Sequence, residues 1–218
     1  MMNARFRDRR EAGRLLGLEL AGLAIEDSQV AALPRGGVPV GYEVAIALSA
    51  PLDIGLVRKL GAPMNPELGI GAIGEDGEAV VDPMAIDRLG IRDDQLDSVI
   101  AAELRELQRR RDRYRAGNPP LDVAGRTVIV VDDGIATGVT AVAAARAIRA
   151  RGARRLILAV PVAPAERTDA FRADFDQFVC LRPIEHPFLG VGSAYEDFTQ
   201  ISDDEVVDLL AQARLRER

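Results

Sequence analysis

The sequence predicts an α/β protein built on a parallel, twisted sheet flanked by helices. Short apolar, β-branched runs alternate along the chain with longer segments of helical periodicity. The runs are apolar enough to be buried on both faces, which is typical of parallel strands. Breaks that contain glycine or proline separate the segments. This alternation favours parallel βαβ connections, with functional sites at the carboxyl ends of the strands.

The N-terminal part predicts an entry helix and one βαβ unit. Leucines at helical spacing indicate a helix over Asp8–Leu20, and Val30–Leu33 is the first apolar run. The segment Pro34-Arg35-Gly36-Gly37 ends that strand. Val38–Ser49 then predicts a helix, and Leu52–Leu60 predicts a second buried strand.

The middle of the chain predicts a mobile segment followed by a long helix. Residues 61–77 contain five glycines and two prolines, which favours a loop or a loose hairpin able to move. Asp93–Arg115 has leucine and isoleucine on one stripe and predicts a long helix. Its arginines Arg109–Arg111 favour a solvated face, with a dimer contact or a phosphate clamp as alternatives.

The C-terminal part continues the alternation of strands and helices. Thr127–Val131 predicts a buried strand, and the alanine-rich segment Thr137–Arg151 predicts a helix. Leu156–Val160 predicts the next strand, and Phe171–Leu181 predicts a short helical end and a last strand. Asp203–Arg214 predicts a terminal helix.

Composition limits the kind of partner. A net charge of −6 and a pI near 5.0 oppose binding to nucleic acid or to anionic membranes. No apolar run approaches the length of a membrane span, and Met1–Arg14 lacks the core of a signal peptide, so we expect a cytoplasmic protein. The single histidine, His186, excludes a His-based metal cluster. The single cysteine, Cys180, has apolar neighbours and is interpreted as a core residue.

The strongest functional signal is the segment Val128–Thr140. Two carboxylates, Asp132 and Asp133, follow the strand, and a small-residue turn then enters the helix. The carboxylates can accept hydrogen bonds from two ribose hydroxyls and help to hold hydrated Mg²⁺. Backbone N–H groups at a helix N-terminus bind phosphate, and hydroxyls add donors. The predicted phosphate nest consists of Ala136, Thr137, Gly138, Val139 and Thr140.

Two further segments have the chemistry of anion sites. Arg35, with the amides of Gly36 and Gly37, offers charge and close backbone donors to a diphosphate, although a simple Gly-Gly turn is an alternative. Lys59 is the only lysine among 28 basic residues and follows Arg58. A flexible ammonium in an arginine-rich chain suggests a position where the two cations are not interchangeable, with the chance retention of one lysine as the alternative.

These three segments together resemble the type I phosphoribosyltransferases. Residues 128–140 resemble the family's phosphoribosyl-pyrophosphate motif, and 33–37 resemble its pyrophosphate loop, which implies a cis peptide between Pro34 and Arg35. Residues 57–59 resemble the basic pair before a loop that closes over the reactants. The resemblance implies the type I fold with a small hood. The core would be 1–180, including the mobile loop 61–77 and the helix 93–115, and the hood with a terminal helix would be 181–218.

The resemblance also implies an activity. The enzyme would move ribose 5-phosphate from phosphoribosyl pyrophosphate to a nitrogenous base, as in nucleotide salvage, with Mg²⁺ and release of pyrophosphate. Asp132, Asp133, Arg58 and Lys59 would be its catalytic residues, and Glu67 is a candidate base, with an ordinary loop carboxylate as the alternative. Family members commonly dimerise, so a homodimer with small-molecule substrates is expected. A sensor of phosphoribosyl pyrophosphate, or an interaction protein with a vestigial site, is the alternative.

The acceptor is not specified by the sequence. Ala136 occupies the position where the 6-oxopurine enzymes carry an acid, and Pro161-Val162-Ala163 lacks their lysine, so hypoxanthine and guanine are disfavoured. Phe188 and Tyr195, in the hood candidate 181–201, could stack on a base or could be core aromatics.

Overall fold

The central sheet has five parallel strands, as predicted. A computed structural model of the chain describes residues 5–166, 171–185 and 187–216, without the side chain of Glu67. In the order β2-β1-β6-β7-β8, each strand runs parallel to its neighbours. The strands of the whole chain are β1 (Ser28–Ala32), β2 (Leu52–Ile54), β3 (Val57–Ala62), β4 (Asn65–Gly74), β5 (Ala79–Val81), β6 (Thr127–Val131), β7 (Arg155–Pro164) and β8 (Gln177–Ile184).

Helices cover both faces of this sheet. They are α1 (Arg9–Ala21), α2 (Gly37–Leu48), α3 (Pro83–Leu89), α4 (Asp93–Arg115), α5 (Val139–Ala150) and α6 (Asp203–Arg216). Alternate residues of β6 enter two separate cores: Ile129 packs in the core that holds residues of α1, α2 and α6, and Val130 packs in the core that holds residues of α5. Burial on both faces explains the continuous apolar runs of the strands. Among the described residues, no helix is long and apolar enough to span a bilayer.

The prediction of one strand over 52–60 is wrong. The apolar run is divided between β2 in the main sheet and β3 in a second, antiparallel sheet of order β3-β4-β5. The chain turns away at Gly55, whose amide donates to the Ala32 carbonyl at 2.8 Å. A β-carbon at Gly55 would lie 2.9 Å from the Leu33 side chain, so the turn packs tightly against the first strand.

The segment 61–77 is a hairpin of regular strands rather than a loop. The hairpin alternative is thus correct, although regular pairing of β4 with both β3 and β5 was not predicted. The glycines here permit close backbone contact: a β-carbon at Gly61 would lie 2.4 Å from the Pro66 carbonyl oxygen, and one at Gly71 would lie 2.4 Å from that of Val80. A glycine-rich composition therefore reflects strand packing here, and movement of the segment stays a prediction.

A buried ion-pair network joins the second sheet and α4 to the main sheet. Arg115, at the end of α4, is 3% exposed. Its Nη1 donates to Asp53 of β2 at 2.7 Å, and its Nε donates to Glu75 after β4 at 2.5 Å. The Leu121 amide also donates to Asp53, at 2.9 Å. Buried charges are costly unless they are paired, and here the pairing links the end of α4 to β2 and to the end of β4.

The predicted hood begins inside the sheet. β8 continues through the predicted boundary at residue 180 as far as Ile184. Beyond it, a 3₁₀ turn at Val191–Ala194 packs against the N-terminal segment, where the Phe6 amide donates to the Ala194 carbonyl at 2.8 Å. His186 lies outside the described residues. The N-terminal segment and residues 191–195 therefore form one layer at this edge of the molecule.

Candidate active site

The turn between β6 and α5 places the two predicted carboxylates at the carboxyl end of the sheet. Asp132 and Asp133 directly follow β6, and the Asp133 amide donates to Asp132 Oδ1 at 2.9 Å. Gly138 precedes α5 with φ of 78°, a left-handed conformation that favours glycine. A β-carbon there would also lie 2.3 Å from the Phe171 ring. Gly138 is therefore required both by backbone conformation and by packing.

The remaining members of the predicted phosphate nest surround the start of α5. Ala136, Thr137, Val139 and Thr140 are exposed. The first N–H groups of a helix lack carbonyl partners within the helix, and the helix dipole makes that end positive. This end of α5 therefore has the accessibility and polarity that a phosphate group needs.

The predicted pyrophosphate loop lies in contact with the acid pair. The peptide between Pro34 and Arg35 is cis, as the resemblance implied. A β-carbon at Gly36 would lie 2.0 Å from Asp133 Oδ2, and one at Gly37 would lie 2.7 Å from the Val131 carbonyl oxygen. Only residues without a side chain permit this approach. Glycine at both positions is thus a condition for bringing the two loops together.

The predicted basic pair faces the same region from the second sheet. Arg58 and Lys59 lie on β3 and line a cavity of about 490 Å³. Pro34 and Thr140, from the two ligand loops, line it as well. Lys59 also lines a neighbouring cavity of about 310 Å³ with Thr137. The structure therefore brings Lys59 close to both loops.

Helix α4 contributes two charged side chains to this cavity: Glu103, which the sequence interpretation missed, and Arg110, which lies in the arginine run that has a phosphate clamp as an alternative. Glu103 accepts a hydrogen bond from Arg58 Nε at 2.5 Å, and Arg110 also lines the cavity. Arg110 is paired with Glu106 at 2.8 Å, and Arg109, which is exposed, pairs with the same glutamate. The solvated-face interpretation thus holds for Arg109, whereas Arg110 is half-buried at the cavity.

Burial dominates the electrostatics of the acid pair. It raises the pKa of Asp132 well above its usual range, and the neighbouring charge of Asp133 raises it further. Burial also raises the pKa of Asp133, against the hydrogen bond that Arg9 donates to it. A cation nearby would favour the ionised pair. The donors suit Mg²⁺, which takes one or two carboxylates and completes its shell with water and substrate phosphates.

The carboxylates do not form a complete metal cage by themselves. Among the described residues, no group of three or more His, Cys, Asp or Glu side chains is placed to hold a metal ion. Asp133 Oδ2 is already engaged by Arg9 Nε at 2.7 Å. The residues present therefore fit a metal held jointly with a phosphorylated ligand rather than a resident structural ion.

Of the two hood aromatics, Tyr195 belongs to the core. Tyr195 is 2% exposed and packs against Phe6, with ring centroids 5.5 Å apart. Phe188 is half-buried against the same cluster. The core alternative for Tyr195 is thus confirmed. Cys180 is half-buried in β8, and burial raises its pKa to about 11, which favours the thiol over a nucleophilic thiolate.

The fold and the site together define an α/β domain with a helix-end phosphate nest beside paired carboxylates. The chain belongs to the phosphoribosyl transferase family, since the model of the phosphoribosyl transferase domain matches residues 18–196. This finding confirms the resemblance that the three segments indicated.

Individual relatives agree with this assignment. The chain is 47% identical over 208 residues to the Mycobacterium tuberculosis protein named "Putative phosphoribosyl transferase MT0597", covering 95% of this chain and 47% of that protein. It spans about half the length of the curated relatives of this kind. It is 36% identical over 106 residues to a ribose-phosphate pyrophosphokinase of Methanopyrus kandleri, covering 46% of this chain and 36% of that protein.

A solved structure has the same fold over nearly the whole chain. TT1426 from Thermus thermophilus superposes with a TM-score of 0.88 at 42% identity, covering 95% of this chain and 98% of that one. The arrangement of strands and helices described above is therefore also found in a solved relative.

Proposed function

We propose that the protein transfers ribose 5-phosphate from phosphoribosyl pyrophosphate to a nitrogenous acceptor and releases pyrophosphate. The observation that carries this proposal is the contact of two loops: Gly36 lies against Asp133, beside the N-terminus of α5. Sites for the pyrophosphate, for the ribose hydroxyls and for the 5-phosphate would then lie next to one another. This is also the order of these groups along phosphoribosyl pyrophosphate.

Each part of the ligand has a matching set of residues. The amides of residues 136–140 and the hydroxyls of Thr137 and Thr140 would hold the 5-phosphate. Asp132 and Asp133 would accept hydrogen bonds from the ribose hydroxyls. Arg35, Arg58 and Lys59, with the amides of Gly36 and Gly37, would neutralise the pyrophosphate.

Mg²⁺ would assist these residues. Held by Asp132, Asp133 and the ligand phosphates, the ion would offset charge on the departing pyrophosphate. In the reaction the bond from C1 to the pyrophosphate oxygen breaks, a bond from C1 to the acceptor nitrogen forms, and the acceptor loses a proton. Since the transition state is cationic at the sugar, positioning and charge stabilisation would supply most of the catalysis. Glu67, in β4, stays a candidate base from sequence.

The alternative function is a sensor that binds phosphoribosyl pyrophosphate without turnover. This alternative would use the same binding residues, and in either function the ligand must compete with Glu103 for Arg58. A cytoplasmic homodimer remains our expectation from sequence and from the family.

Pyrophosphate release distinguishes the two functions. The purified protein would be incubated with Mg²⁺, phosphoribosyl pyrophosphate and a panel of purine, pyrimidine and other nitrogen-containing acceptors, with an acceptor-free control for hydrolysis. We expect release that depends on one class of acceptor and disappears in the Asp132→Asn/Asp133→Asn variant. Binding without acceptor-dependent release across the panel would favour the sensor.

A further inference from the structure

Arg9, on the N-terminal helix α1, holds one of the two site carboxylates. Its Nε donates to Asp133 Oδ2 at 2.7 Å, and its Nη1 donates to the Thr199 carbonyl at 2.8 Å. The guanidinium also lies 3.9 Å from the Phe198 ring centroid. Arg9 is 8% exposed, so most of its own surface is shielded from water. Two directed hydrogen bonds and a stacked ring leave the guanidinium little freedom.

The main chain of Asp133 is held from the same side. The Tyr195 hydroxyl donates to the Asp133 carbonyl at 2.5 Å, and Tyr195 packs on Phe198, with ring centroids 5.1 Å apart. Gly36 also lies against this carboxylate, since a β-carbon there would be 2.0 Å from Asp133 Oδ2. Both the backbone and the carboxylate of Asp133 are thus fixed by residues distant in sequence.

We propose that Arg9 is a positioning residue that sets the orientation of Asp133 for binding the ribose hydroxyls. This inference rests on the proposed function of the site. With Oδ2 bound to Arg9, the carboxylate is turned so that Oδ1 accepts the ligand. Arg9, Phe198 and Thr199 all lie outside residues 18–196, which match the family model. The contacts that hold the Arg9 guanidinium therefore come from segments on either side of the matched region.

The chemistry requires arginine rather than any cation. A guanidinium donates in two directions and stacks flat on an aromatic ring, whereas an ammonium acts as a point charge. Lysine at position 9 would keep the charge beside Asp133 and lose either the Thr199 bond or the stacking on Phe198. Methionine would remove the charge and leave a buried carboxylate without its partner.

Ligand binding separates positioning from a purely structural role. Dissociation constants would be measured by calorimetry with Mg²⁺ for phosphoribosyl pyrophosphate, ribose 5-phosphate and pyrophosphate, in wild type, Arg9→Met and Arg9→Lys. Arg10→Met is the matched control, because Arg10 lies on the same helix and pairs at 2.7 Å with Glu43, outside the site. Thermal melting would establish that each variant is folded, and Arg9→Lys carries the test if Arg9→Met does not fold.

We expect Arg9→Met to raise the dissociation constants of both ribose-containing ligands by about tenfold to a hundredfold. Misplaced supporting groups cost this much affinity or activity at other sites. Pyrophosphate should bind within about twofold of wild type, and Arg9→Lys should show the same selectivity with a smaller loss. Equal loss for all three ligands, or unchanged affinity for the ribose ligands, would reject the role of Arg9. Absence of phosphoribosyl pyrophosphate binding by wild type would instead reject the proposed function itself.

Discussion

Gly36 shows how a single missing side chain makes the site possible. A β-carbon added at Gly36 would lie 2.0 Å from Asp133 Oδ2, closer than two non-bonded heavy atoms approach each other. Asp133 is also held by Arg9 and Tyr195 and has little room to move away. A side chain at position 36 must therefore displace the carboxylate, the loop or both.

We predict that Gly36→Ala weakens phosphoribosyl pyrophosphate binding by at least about tenfold, since a displacement of about 1 Å is costly at a reacting centre. The overpacking should cost about 1–3 kcal/mol of unfolding free energy. Gly22→Ala is the control, because Gly22 has an ordinary φ of −66° and its β-carbon would meet nothing closer than 3.4 Å. Calorimetry on both variants provides the measurement, and wild-type affinity in Gly36→Ala would contradict the described contact of the two loops.

Residues contiguous in sequence could be predicted, whereas those brought together by folding could not. Asp132, Asp133 and the nest around Thr137 lie in one strand-turn-helix, whose local chemistry is visible in the sequence. Arg9 is 124 positions from Asp133, and Glu103 is 45 positions from Arg58. A charged residue on an amphipathic helix carries no signal of its distant partner, so one sequence offered no means of finding either.

Among the secondary-structure elements, α4 is the largest addition to the wall of the site. Its start contacts solvent, its middle lines the cavity through Glu103 and Arg110, and its end is fixed through Arg115. Asp203 of α6 also accepts a hydrogen bond from Tyr114 of α4 at 2.6 Å, and burial raises the Tyr114 pKa to about 12. The helix is therefore anchored at the end that follows the cavity.

We predict that Arg115→Met destabilises the fold by about 3–5 kcal/mol, because it leaves Asp53 and Glu75 buried without their counter-ion. Arg113→Met, in the same turn of α4, removes ion pairs with Asp204 and Asp203; because Arg113 is largely exposed, the change should cost about 1 kcal/mol or less. Urea denaturation of both variants measures the difference. Equal stability of the two variants would show that the buried network does not hold α4 in place.

The pairing of Glu103 with Arg58 leads to a prediction of increased affinity. Glu103→Gln removes a negative charge from a cavity that also contains Lys59 and Arg110, and it releases Arg58 to an incoming anion. The pair is partly exposed, so we expect pyrophosphate to bind about twofold to fivefold more tightly, equivalent to about 0.4–1 kcal/mol.

The control for Glu103→Gln is Asp112→Asn on the same helix, which removes a carboxylate paired with Arg111 away from the cavity and should leave binding unchanged. Calorimetric titration with pyrophosphate provides the measurement. Weaker binding in Glu103→Gln would mean that the glutamate orients Arg58 for the anion rather than competing with it.

The ends of a helix or strand were predictable where its hydrophobic periodicity stops at a residue that breaks the element. α4 begins and ends where the sequence predicted, because its stripe is long and both ends carry clear signals. The run 52–60 has no such break except Gly55, so its division between two sheets was missed. The glycine-rich segment was left between a loop and a loose hairpin, because composition does not distinguish a hinge from close strand packing.

Across the whole molecule, each of the two sheets contributes different residues to the proposed binding site. The main sheet supplies both ligand loops from the carboxyl ends of β1 and β6, and the second sheet supplies Arg58 and Lys59 from β3. The parallel class of the main sheet followed from alternation of strands and helices. The second sheet depends on antiparallel pairings between three segments, which in the sequence resemble a strand end, a loop or loose hairpin, and a short apolar run.

The acid pair and the loops around it form the proposed binding site for phosphoribosyl pyrophosphate. The decisive measurement is calorimetric titration of the wild-type protein and of Asp132→Asn/Asp133→Asn with phosphoribosyl pyrophosphate in Mg²⁺. We expect saturable binding by wild type, and at least about a hundredfold weaker binding by the variant, which loses two charge-assisted acceptors. No binding by folded wild-type protein, or equal binding by both proteins, would show that the ligand is not held at this site.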